Sequence, residues 1–353
     1  MALALKEYFS RQHIEAHKFD ASAQLAEQAV YCLELVAELT DCGLDFQFKG
    51  GNSLLMILEK PQRFSIDVDI ATDASREQIE QCLDLLISKH KTFQSWKKRA
   101  HKTKPWLPIS SYYLYFRSAF TDEQMSIMLD AQLRKSAYVT CEKKVACGEL
   151  YRSEKKAVIP YPASIIGDKL LTMGPATLGI PLGRGKQAQR LKHVFDVATL
   201  SRMKPSLSRI RDSFYGCLAQ ENALQDRKIN SEQILKDTLS FCGSVVSHRN
   251  MPDVDMISDP VLKENITGFL PFAKHLFTSD YRWHNLQIDM SRAALCISAA
   301  SIGSVTQQQF ENALDGQEFH GDTKVKIPVN DLYVQNAWTH IANWLGCNPL
   351  MQE

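Results

Sequence analysis

The chain has 353 residues, 44% of them hydrophobic, enough to bury one large core or two medium ones. With 41 Lys+Arg against 40 Asp+Glu the net charge is only +1, which excludes overall charge as a reason to bind nucleic acid or membrane; any such surface is local. Nine cysteines, an odd number with no C-x-x-C pair, point to reduced thiols in a cytoplasmic compartment, and no signal peptide or membrane span is expected.

Helical spacing of Leu25, Ala29, Leu33, Val36 and Leu39 predicts a helix over 21–42, stopped by Gly43. Leu44, Phe46 and Phe48 then alternate with polar residues as a strand, Gly50-Gly51 breaks it, and 53–58 reads as helix again. A second strand is expected at 65–71, with Ile66, Val68 and Ile70 on one face and Asp67 and Asp69 on the other. A helix over 76–90 and strands over about 111–117 and 125–133 follow.

From about residue 160 the pattern is almost wholly helical, with segments at 163–173, 187–202, 206–220, 231–247, 260–277, 285–302, 306–314 and 330–345. Pro160 and Pro162 mark a boundary, giving domains 1–160 and 161–353, and residues 174–189 form a Gly/Pro-rich loop. The fold class is α+β with a helical second half. No internal repeat or low-complexity tract is visible.

Two carboxylates two apart on a strand, Asp67 and Asp69, project from one face and need a cation between them. Hard oxygen donors without a nearby His/Cys cluster select Mg²⁺ or Mn²⁺ rather than zinc. Asp130, opposite the apolar face of Met125, Ile127 and Leu129, is the natural third ligand of a two-metal site. Gly50, Gly51, Asn52 and Ser53, between a strand end and a helix start, offer backbone N–H groups and a hydroxyl to a phosphate.

A basic run free of acids, Lys89, Lys91, Lys97, Lys98, Arg99, Lys102 and Lys104, interleaved with Phe93, Trp96 and Trp106, could bind RNA phosphates and stack bases, or could be a solvated connection. A shorter stretch, Arg184, Lys186, Arg190 and Lys192, could face a triphosphate or an RNA backbone.

The run Phe48-Lys49-Gly50-Gly51-Asn52-Ser53-Leu54 followed by Arg63-Phe64-Ser65-Ile66-Asp67-Val68-Asp69-Ile70 resembles the first motif of the AbiEii/AbiGii-type nucleotidyltransferase toxins, of the DNA polymerase-β-like superfamily. Ile166-Gly167-Asp168-Lys169-Leu170-Leu171 is similar to the family's helical K-L motif, and Arg190-Leu191-Lys192-His193-Val194-Phe195-Asp196 to its R-x-K-D-x-x-D segment. Two positions depart from the pattern: Ile66, where a further acid is common, and His193, in place of the first Asp.

The resemblance implies a polymerase-β-like mixed sheet followed by a helical domain that completes the nucleotide site. It implies transfer of a nucleoside monophosphate from an NTP, with pyrophosphate released. Lys169 would neutralise phosphate, Asp196 would position Lys169 or touch the nucleotide, and Arg190 and Lys192 would join the nucleotide contacts. The expected acceptor is the 3′ end of tRNA, and the expected setting a bacterial toxin–antitoxin or phage-defence pair with a cognate antitoxin. Transfer to a protein hydroxyl, and a nucleotide- or partner-binding module without turnover, stand as alternatives.

Overall fold

The computed structural model describes residues 4–99, 108–225, 228–319, 321, 323 and 325–350. The chain divides into two compact units, residues 1–136, 140–161 and 276–278, and residues 137–139, 162–275 and 279–353.

In the first unit α1 (Arg11–His17), α2 (Ala23–Asp41), β1 (Gln47–Lys49), α3 (Leu54–Ile57), β2 (Asp67–Ala71), α4 (Arg76–His90), β3 (Ser95–Arg99), β4 (Ile109–Arg117), β5 (Gln124–Gln132), β6 (Thr140–Cys147) and β7 (Tyr151–Pro160) follow in order. The strands form one mixed sheet, order β3-β4-β5-β2-β1-β7-β6. β2 runs parallel to β5 and β1 to β7; the other neighbours are antiparallel.

α2 begins where the Ser22 hydroxyl accepts the Leu25 N–H at 3.3 Å, and ends before Gly43, whose φ of +78° suits glycine. Its apolar positions are buried almost all round. Three acids are buried with them. Glu27 accepts from Ser118 Oγ at 2.7 Å and Ala119 N at 2.6 Å, and Glu34 from the Tyr151 hydroxyl at 2.5 Å. α4 opens with a reciprocal Ser75–Gln78 capping box and buries Ile79, Leu83 and Leu86.

The sheet is larger than the sequence pattern predicts. β6 and β7 carry Glu142, Lys143 and Lys144, and Glu154, Lys155 and Lys156, so charge masks the alternation, although Tyr151, Ser153, Ala157 and Ile159 of β7 are buried. β3 reads as polar connection because its residues are largely exposed. Ile66 departs from the expected apolar face: it precedes β2 and is 36% exposed, while Val68 and Ile70 are buried.

The helix expected over 260–277 stops at Ala273. Leu276–Thr278 then belong to the first unit, where Leu276 bridges Arg63, Phe277 N–H donates to Gln62 O at 2.8 Å, and the Phe277 ring meets Phe19 and Phe64. No local pattern announces that return.

The second unit contains α5 (Pro162–Leu170), α6 (Gln187–Ser201), α7 (Leu207–Gln225), α8 (Ser231–Val246), α9 (Pro260–Ala273), α10 (Trp283–Ser301), α11 (Gln307–Leu314) and α12 (Leu332–Leu345). α10 is its buried axis, packed on α6, α8 and α12. Arg211 closes the end of α10 by donating to the carbonyls of Ala299, Ile302 and Val305, a cation placed where a helix leaves its acceptors unpaired. α5 crosses α7 so closely that a Cβ at Gly167 would lie 2.7 Å from backbone atoms of Ile210 and Phe214. Among the described residues no helix is long and apolar enough to cross a membrane.

Candidate active site

β2 places Asp67 and Asp69 on one face of the sheet, with Val68 and Ile70 in the core behind them. In the parallel pairing with β5, Asp69 lies in register with Asp130 and Asp67 with Met128. The three aspartates therefore share one face, Asp67 and Asp69 through the strand's period of two and Asp130 through its register with Asp69. Among the described residues no three His, Cys, Asp or Glu side chains form a ready-made metal cage. The Asp69 carboxylate lies against Gly50, and Asp130 Oδ1 accepts a hydrogen bond from Ser111, its register partner on β4.

The turn after β1 is built for that approach. Gly50 has φ +72°, and a Cβ there would run into the Asp69 carboxylate; a Cβ on Gly51 would lie 2.8 Å from the Arg63 guanidinium. Asn52 and Ser53, expected to contact phosphate, are fully buried and serve the turn itself. Ser53 Oγ donates to Gly50 O at 2.8 Å, and Asn52 Nδ2 to Asp67 O at 3.3 Å. α3 is one turn long, so the helix start offers little dipole.

Two supports of the aspartate strands are not legible in the sequence. Cys32, buried in α2, donates its thiol to Ile66 O at 3.3 Å; with Asn52 it fixes the backbone just ahead of the D-x-D pair. Burial pushes the Cys32 thiol far up, so it acts as a small apolar group with one weak donor. Ser111, at the start of the strand expected over 111–117, is buried, and its partnership with Asp130 across the sheet is a matter of register.

In the second unit Lys169 of α5 and Asp196 of α6 are both buried and form an ion pair at 2.9 Å. Asp196 thus holds Lys169, one of the two roles expected of it. Arg190, expected at a nucleotide, is 1% exposed, and its guanidinium is paired with Glu264, which also accepts the Gly183 N–H at 2.5 Å. Asp237 accepts from Thr177 N at 2.8 Å and Thr177 Oγ1 at 2.7 Å. Two acids thereby fasten the Gly/Pro-rich loop. His193 Nδ1 is bound to Thr172 Oγ1 at 2.9 Å, so the departing residue is satisfied locally. Lys192 is half-buried on α6.

A profile described as "Nucleotidyl transferase AbiEii toxin, Type IV TA system" matches residues 35–266, well over half of the chain and all the motif residues above. The chain belongs to the AbiEii nucleotidyl transferase toxin family. No curated protein matches it significantly. Among solved structures it is similar to a Helicobacter pylori protein described as a candidate nucleotidyltransferase, at 12% identity and TM-score 0.43 over 85% of this chain and all of that one. A second, JHP933 from Helicobacter pylori, gives 12% identity and TM-score 0.42 over 82% of this chain and 98% of that one.

In this AbiEii chain the strand pleat divides the basic run between the two faces of the sheet. Trp96 and Lys98 face α4, where the indole donates to Asp84 at 2.9 Å and sits edge-on to Tyr112, and Lys98 pairs with Glu80 at 2.7 Å. Lys97 and Arg99 lie on the aspartate face, in register with Tyr113 and Ser111. Phe93 is buried. Lys102, Lys104 and Trp106 lie outside the described residues.

Proposed function

We propose that this chain transfers a nucleoside monophosphate from an NTP to the 3′ end of tRNA, as the toxin of a pair with a cognate antitoxin. The observation that carries the reading is the register of Asp69 with Asp130, with Asp67 on the same face, beside a glycine turn closed on Asp69.

The donor set, three carboxylates with no His or Cys partner among them, fits Mg²⁺ or Mn²⁺, and Asp67, Asp69 and Asp130 would hold it. When bound, such an ion neutralises the triphosphate and lowers the pKa of the attacking hydroxyl. The protein's part is positioning. Gly50 and Gly51, without Cβ atoms, let the Asp69 carboxylate and the Arg63 guanidinium close on the turn backbone beside the proposed metal position. Ser53, Asn52 and Cys32 hold the turn and the start of β2 rigid. Within the helical unit Lys169 is held by Asp196, which keeps the buried ammonium paired. Arg190 braces the Gly/Pro-rich loop through Glu264.

The test is incubation of the protein with total tRNA and each α-³²P NTP in turn, with Mg²⁺, beside Asp67→Asn. Label in tRNA that disappears in the variant supports the reading. Label in protein alone rejects the tRNA acceptor, and tight NTP binding without pyrophosphate release rejects turnover.

A further inference from the structure

The aspartates are the middle of a longer row. Residues in register across five neighbouring strands run Arg99, Ser111, Asp130, Asp69, Lys49, and the adjacent row runs Lys97, Tyr113, Met128, Asp67. Register partners project from the same face, so the β3 edge and the carboxylates form one continuous surface. Lys97 and Arg99 are exposed on it and Tyr113 is half-buried. Arg99 does not point away from the aspartates: its guanidinium reaches inward to Met128 Sδ at 3.4 Å.

From this surface we infer that Lys97, Arg99 and Tyr113 form the acceptor-binding strip, and that it takes an unpaired single-stranded RNA end rather than a duplex. The inference rests on the RNA-acceptor reading above and names the form of RNA accepted. Lys97 and Arg99 are two residues apart on an extended strand, about 7 Å, a separation one sugar-phosphate step can bridge. Arg99 offers a planar fork of donors to a phosphate beside the carboxylates. Tyr113, between the two cations and Met128, offers a ring on which an unpaired base can stack; bases in a duplex have no free face to present. The lysine and arginine also keep the open β3 edge from pairing with another strand.

The test uses the full chain and fluorescence anisotropy of a labelled single-stranded RNA carrying a tRNA 3′ end, with the matching duplex as competitor. Arg99→Glu and Tyr113→Ala are each expected to weaken single-strand binding about tenfold or more, and Tyr113→Phe to retain it. Lys98→Glu makes the same charge change as Arg99→Glu on the opposite face and is expected to leave binding within about twofold. Equal losses in Lys98→Glu and Arg99→Glu, equal competition by the duplex, or Tyr113→Ala binding like wild type would each overturn the strip. Wild-type protein that binds no RNA at all would instead reject the RNA acceptor itself.

Discussion

The carboxylate of Asp69 fills the space that a side chain at Gly50 would occupy, and Lys49, the residue before that glycine, is the register partner of Asp69 on β1. Gly50→Ala therefore combines a left-handed φ of +72° with a collision against a proposed ligand. The expected result is a loss of about 1–3 kcal/mol in stability and a fall in nucleotide transfer of at least ~100-fold, a figure in keeping with misplaced reacting groups. Gly43 is the control: its φ is +78° but a Cβ there meets nothing within 4 Å. Gly43→Ala should lower the melting temperature comparably while keeping transfer near wild type. Similar transfer in the two variants would refute the role given to the Gly50–Asp69 contact.

Asp67→Asn, Asp69→Asn and Asp130→Asn remove one charge each from a face where three carboxylates stand on adjacent strands. Relief of like-charge repulsion predicts unchanged or slightly raised thermal stability, within about 0.5–1 kcal/mol. Transfer should fall by a factor on the order of 10³ or more. Ser111→Ala tests the support: loss of its bond to Asp130 should raise the Mg²⁺ or Mn²⁺ concentration needed for half-maximal activity, about tenfold as for other second partners of metal ligands. Thermal melts and metal titrations of the four variants separate these effects.

The D-x-D pair was readable because a strand's period of two dictates its facing, and Asp130 because its neighbours Ile127 and Leu129 mark the core side. What the residues could not reveal was partnership. That Asp130 sits beside Asp69 and bonds Ser111 depends on strand order, which pairs β2 with β5 across some sixty residues of chain. The same limit hid the second half of the sheet, where Lys and Glu on the outward positions of β6 and β7 drown the alternation, and the return of Leu276–Thr278 to Arg63 and Phe64. The motif residues Asn52 and Ser53 were visible, but their work, Ser53 closing the turn on Gly50 and Asn52 tying it to Asp67 of β2, follows only from their burial and bonds.

The Lys169–Asp196 pair lies in the interior, so removing one partner strands the other charge. Asp196→Leu is expected to cost about 3–5 kcal/mol, whereas Lys169→Met combined with Asp196→Leu should cost clearly less than the sum of the single changes. Denaturant titration of the four-protein cycle measures this, and additive stabilities would show that the two groups do not depend on each other.

Glu38, fully buried in α2, supplies a pH signature for the first unit. Burial, helped by the neighbouring Glu34 carboxylate, pushes its carboxyl up to about 8. The folded state thus holds a proton that the unfolded chain releases near its ordinary value of 4.5, so this contribution to stability is complete below that value and is lost as pH rises towards 8. Asp289, raised by burial to about 6, acts in the same direction but is exhausted earlier, leaving Glu38 to dominate between those two values. Glu38→Gln keeps the shape and removes the ionisation. Urea unfolding at about pH 5, 7 and 9 should show wild type losing on the order of a few kcal/mol relative to Glu38→Gln across that range. Parallel stability curves for the two proteins would mean that Glu38 is already ionised in the folded chain at neutral pH.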